Sequence, residues 1–154
     1  MSFMEANRRT EEKEFLDDSF VVPVYYEDTD FSGYVFHPNY LKYFDRAREE
    51  IIGTPLLKEL FEAGLHFVVK SASQEFLRPV QHGDTLRIKT RVRFSHSPLV
   101  FFRHEALVMA ESGECKTTAV VADIELVSIN RKGQPVRLPR VLHDLFSRKY
   151  FQDH

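Results

Sequence analysis

Tyr26-Glu27-Asp28-Thr29-Asp30-Phe31-Ser32-Gly33-Tyr34-Val35-Phe36-His37-Pro38-Asn39-Tyr40-Leu41 opens on turn-forming residues and closes on the start of a helix. Asp28 to Gly33 is a cluster of side chains that hydrogen-bond their own backbone, ended by a glycine free to turn. Pro38 stands where a first helical position is expected, since its fixed φ suits that place. From Asn39 to Ile52, Tyr40, Phe44, Ala47 and Ile51 recur at helical spacing with Tyr43 beside them, while Lys42, Asp45, Arg46, Glu49 and Glu50 fill the polar positions. The segment therefore predicts a largely buried helix, capped by Gly53, with Pro55 just beyond.

Before the loop, Phe20 to Tyr26 is a β-rich run in which Pro23 favours a strand start or an edge. After the helix, Pro55 to Ala63 predicts a short helical turn closed by Gly64. Strands are then predicted near 66–77, 85–95, 99–110 and 116–130, separated by Gly83-Asp84, Ser97-Pro98 and Ser112-Gly113. Leu138 to Phe151 predicts a final helix with Val141, Leu142, Leu145 and Phe146 on one face. One long helix followed by antiparallel strands predicts an α+β layer structure with the helix against one face of the sheet. Residues 1–18, rich in charge at Glu11-Glu12-Lys13-Glu14 and Asp17-Asp18, read as a mobile arm, and 19–154 as a single domain.

The chain has 154 residues, one cysteine and a net charge of −2. The charge balance speaks against a nucleic-acid partner, which usually requires a basic stripe. Cys115 alone allows no internal disulfide and no cysteine-based zinc site, which suggests a reducing, cytoplasmic setting. The histidines show no metal-ligand spacing, so no metal and no cofactor are expected.

The loop places a carboxylate and an imidazole just before a helix start. Such a start offers unpaired N–H groups and a partial positive charge, which can hold a developing oxyanion. A nearby aspartate can attack a carbonyl or take a proton from water. Asp28 and Asp30 can equally be turn and cap residues, and His37 a packing residue.

Tyr26, Asp28-Thr29-Asp30, Gly33, Val35-Phe36-His37 and Tyr40, followed by Phe44-Asp45-Arg46-Ala47-Arg48, resemble the signature of the 4-hydroxybenzoyl-CoA thioesterase family in its YbgC-type acyl-CoA thioesterase branch. One position departs: the aromatic before the histidine is usually tyrosine and here is Phe36, which loses a hydroxyl near the substrate. The resemblance implies a hot-dog fold, in which an antiparallel sheet of about five strands wraps a long helix. It also implies a homodimer or homotetramer with active sites at the dimer interface. It places catalysis on Asp30, as nucleophile or general base, and on His37, whose amide polarises the thioester carbonyl. Tyr26, Gly33, Val35 and Phe36 would contact substrate. Acyl-CoA is the implied substrate, with acyl-carrier protein as an alternative carrier, and Arg78, Arg91, Arg93 and Arg103 are candidates for its phosphates. Two other readings compete: a hot-dog dimer that binds acyl thioesters without cleaving them, and a dehydratase, for which no motif is found.

Overall fold

In a computed structural model, residues 12–154 are described. Strand β1 (Lys13–Pro23) leads through a short 3-10 turn (Tyr26–Asp28) and the loop to helix α1 (Asn39–Ile52) and helix α2 (Thr54–Glu62). Strands β2 (His66–Phe76), β3 (Thr85–Phe94), β4 (Leu99–Met109) and β5 (Cys115–Ile129) follow, then helix α3 (Arg140–Asp153). The five strands form one antiparallel sheet in the order β1-β3-β4-β5-β2. This is the α+β, sheet-around-helix arrangement that the resemblance implies.

The alternation along the strands decides which face meets α1. Leu86, Ile88, Thr90, Val92 and Phe94 of β3 are buried, as are Val100, Phe102, His104 and Ala106 of β4, while Arg87, Lys89, Arg91 and Arg93 point the other way. Helix α1 lays Tyr40, Tyr43, Phe44, Ala47 and Ile51 on that apolar face, as its spacing predicts. Arg48 falls in the same stripe and is buried too, which its charge had concealed. Gly53 (φ +95°) turns the chain from α1 directly into α2, a step other residues make at a cost. Pro38 precedes the first helical residue, Asn39, rather than being it.

The sheet begins earlier than its composition suggests. Lys13 to Asp18, read as part of an arm, form the first half of β1, and residues 1–11 of that arm lie outside the described residues. The physical reason is Phe15, buried against Phe94 and Phe146. Burying such a ring contributes about 1.5–3 kcal/mol, enough to hold the charged residues around it in register. Glu12 and Glu14 then pair with Arg93 and Arg91 on the outer face. The end of α3 also fastens this edge: Leu16 N–H donates to Asp153 Oδ2 at 3.1 Å, and His154 Nε2 lies 2.9 Å from Glu14 O. In α3 itself Leu142 and Phe146 are buried, whereas Val141 is 49% exposed and does not share their face.

Among the described residues the opposite edge, β2, pairs only with β5. It leaves Val68, Val69 and Phe76 exposed, with Val69 at 56%.

Candidate active site

Two strand ends position the loop that the sequence singles out. Val24 is buried and exchanges backbone bonds with the β2–β3 turn, Val24 N–H to Asp84 O (2.8 Å) and Gly83 N–H to Val24 O (3.0 Å). Asp28 caps the 3-10 turn, its Oδ2 accepting from Tyr25 N–H at 2.9 Å. The carbonyl of Asp28 accepts from Phe36 N–H (2.9 Å) and from Asn39 Nδ2 (2.8 Å), which stitches the loop to the first residue of α1. Asp28 is thus an organising residue of the loop.

Asp30 begins a tight turn. Gly33 N–H donates to Asp30 O at 3.1 Å, Asp30 N–H donates to Tyr34 O at 3.0 Å, and Gly33 takes φ +84°. That positive φ is the reason for glycine there. Ser32 donates its N–H (2.8 Å) and its hydroxyl to Asp30 Oδ1. Both bonds fall on one carboxylate oxygen. The Ser32 hydroxyl, then its amide, hold the Asp30 carboxyl below the usual aspartate range, and the nearby His37 imidazole adds to this. The group is exposed and stays ionised at neutral pH, as a nucleophile or base requires.

The chain after the turn returns to the sheet, Val35 N–H donating to Val80 O at 2.8 Å, and then enters α1. Asn39 N–H donates back to Phe36 O, while the amide of His37 engages no acceptor among the described residues. The His37 ring packs edge-on against Phe36 (5.2 Å) and Phe76 (6.1 Å). Beside it lies a cleft of about 290 Å³ bordered by His37, Tyr40, Phe76, Leu77, Arg78 and Pro79, with Tyr34 and Val35 completing it. Burial pushes the Tyr40 phenol up to about 12, so that ring is a neutral wall of the cleft.

The structure therefore brings Val35 and His37 to one cleft, with Phe36 half exposed against His37. Gly33 and Asp30 form the adjoining turn, and the Asp30 carboxylate stands outside the cleft lining. Tyr26 does not border the cleft; it is 79% exposed and packs on His82. Phe76, Leu77 and Pro79 line the cleft without having been anticipated; the nearest signal was the Gly83-Asp84 separator between β2 and β3. A larger concavity, about 390 Å³, crosses the outer sheet face. Among its lining residues there is no imidazole and no helix start, unlike the smaller cleft beside His37.

Beneath the site, α1 and the sheet share a polar network inside the core. Arg48, 6% exposed, donates from Nη1 to His104 Nε2 at 3.0 Å, and Thr90 Oγ1 lies 2.9 Å from His104 Nδ1. A guanidinium only donates, so Nε2 is the acceptor and the ring proton sits on Nδ1, donating to Thr90. Phe44 stacks on the imidazole at 4.8 Å, 4° from parallel. Burial, and then the Arg48 charge, push His104 down to about 3. Above the ordinary 6.5 both folded and unfolded imidazoles are neutral and stability is whole. As pH falls from 6.5 toward 3, only the unfolded chain takes up the proton, so stability is lost across that window. This group alone should contribute a loss of about 1.4 kcal/mol per pH unit. Imidazole NMR should show the neutral Nδ1–H form from about pH 8 to about pH 4; an ordinary titration near neutrality would contradict the network.

Comparison with known proteins agrees with this architecture. The model of the Thioesterase-like superfamily matches residues 24–146. The acyl-CoA thioesterase YbgC of Helicobacter pylori strain J99 is 33% identical over 128 residues, covering 80% of this chain and 96% of that one. The crystal structure of a probable thioesterase from Bartonella henselae superposes with a TM-score of 0.64 at 35% identity, covering 81% of this chain and 99% of that one. The 4-hydroxybenzoyl-CoA thioesterase of a Pseudomonas species shares the fold at 19% identity, with a TM-score of 0.71 over 86% of this chain and 99% of that one. This chain belongs to the Thioesterase-like superfamily and folds as a hot-dog thioesterase domain.

Proposed function

We propose that this chain hydrolyses an acyl-CoA thioester to the free acid and CoA, with Asp30 as the reacting carboxylate and the His37 amide as oxyanion donor. Family membership makes it a thioester hydrolase. The observation that carries the finer reading is an ionised carboxylate on the turn before an uncommitted amide at a helix start, which borders an apolar cleft. Two routes use these groups. Asp30 attacks the carbonyl carbon, the C–S bond breaks, and water hydrolyses the resulting mixed anhydride. Alternatively, Asp30 takes a proton from a water that attacks directly, and the departing thiolate is protonated. In both, the carbonyl oxygen becomes negative where the His37 N–H points.

The functional unit in this reading is at least a dimer joined through β2, whose exposed Val68, Val69 and Phe76 would be covered by a second copy. Phe76 and Leu77 border the cleft, so pairing there would deepen it and bring a partner surface toward Asp30. No helix among the described residues is long and apolar enough to cross a membrane. A cytoplasmic setting suits a substrate carried on CoA.

Short aliphatic, long aliphatic and aromatic acyl-CoAs offered to the purified protein, with released thiol trapped by a chromogenic reagent, test this. Thiol release from at least one class is expected. A protein that binds these thioesters and frees no thiol from any of them would be a carrier instead.

A further inference from the structure

The cleft beside His37 has one charged side chain that is not part of the reacting pair. Val35, Tyr40, Phe76, Leu77 and Pro79 give it an apolar body, and Arg78, an exposed residue, also borders it. The base of that side chain is fixed, because Leu77 N–H and Arg78 N–H both donate to Ala119 O, at 2.8 and 3.1 Å. Among the described residues, the guanidinium of Arg78 meets no carboxylate and donates no hydrogen bond.

The other candidate arginines differ. Arg91, Arg93 and Arg103 each face a carboxylate, Glu14 (3.8 Å), Glu12 (3.2 Å) and Asp123 (3.1 Å), on the outer face of the sheet. Their charges are already matched, and no catalytic group lies on that face. Arg78 alone of these four stands at the cleft with its donors uncommitted.

Its exposure says which end of a substrate it meets. An acyl group enters the apolar body, where an anion would have to shed its water. The carrier arm stays at the rim, where a phosphate keeps partial hydration and meets a planar fork of N–H donors that matches its oxygens. On the thioesterase reading above, we propose that Arg78 is the phosphate contact for the carrier arm of the thioester. It would set the preference for a phosphorylated carrier over bare pantetheine. Two carriers offer that chemistry: CoA, and the phosphopantetheine of an acyl-carrier protein.

One acyl group presented on CoA, on phosphopantetheine and on pantetheine, to the wild type, Arg78→Gln and Arg78→Lys, tests this. Arg78→Gln should raise KM for the two phosphorylated thioesters about tenfold, the weight of an exposed charge-assisted bond. It should leave kcat and the pantetheine thioester unchanged, and Arg78→Lys should recover part of the loss. A larger loss on CoA than on phosphopantetheine would place the contact on the further phosphates of CoA. An equal loss would place it on the phosphate both carriers share. An equal loss on pantetheine, or no loss on any carrier, would overturn the assignment. Calorimetric binding of free CoA against pantetheine reads the same contact without turnover. If the wild type binds both alike, the contact is absent; if it binds CoA more tightly yet cleaves no thioester, the contact stands and the hydrolase reading fails.

Discussion

Asp30→Asn should fold and melt like the parent chain and lose about 10²–10⁴-fold in thioester turnover, the usual weight of a positioned base. The substitution is chosen because it keeps the acceptor that the turn uses. Asparagine keeps an oxygen at Oδ1, so both Ser32 donors retain their acceptor and Gly33 keeps its φ of +84°. Only the negative charge is removed. A variant that releases thiol at nearly the parental rate would exclude Asp30 from the chemistry and leave it a turn residue. A variant that fails to fold would show instead that the charge helps to hold the loop.

The second large effect lies in the core. His104→Leu removes the acceptor of Arg48 and leaves a buried guanidinium whose remaining carboxylate partner, Asp45 at 3.2 Å, is itself exposed. Stranding a buried charge in this way typically costs about 3–5 kcal/mol. Arg48→Met removes the charge but leaves His104 Nε2 without a donor, a loss of about 1–3 kcal/mol. The double variant replaces the pair with apolar side chains, so its loss should be smaller than the sum of the singles. A coupling of about 1–3 kcal/mol is expected from denaturant unfolding at one fixed protein concentration. Strictly additive losses would mean that the 3.0 Å contact contributes nothing net.

Much of this architecture was legible in the residues because periodicity reports burial. Tyr40, Phe44, Ala47 and Ile51 mark the inner face of α1, and β-rich runs between turn signals mark the four later strands to within a residue or two. Where the reading went astray, one strong interaction outweighed composition. Lys13 to Asp18 look like solvated chain, yet a single phenylalanine seated between Phe94 and Phe146 draws them into the sheet. Arg48 occupies a core phase of the helix, and its burial depends on an imidazole 56 residues away that no local pattern reveals. The order of strands was equally hidden, since β1 pairs with β3 across two helices. At the candidate site, the motif located the loop and the helix start. It could not separate a turn role for Asp30 from a catalytic one, because capping and catalysis call for the same residue in the same place.

The fastening of the β1 edge by Asp153 and His154 has a consequence for assembly. A sheet with two bare margins could recruit copies at either side and run on into a fibre. Here two backbone groups of the β1 margin, Leu16 N–H and Glu14 O, are already engaged by Asp153 and His154 and are not open to a second strand.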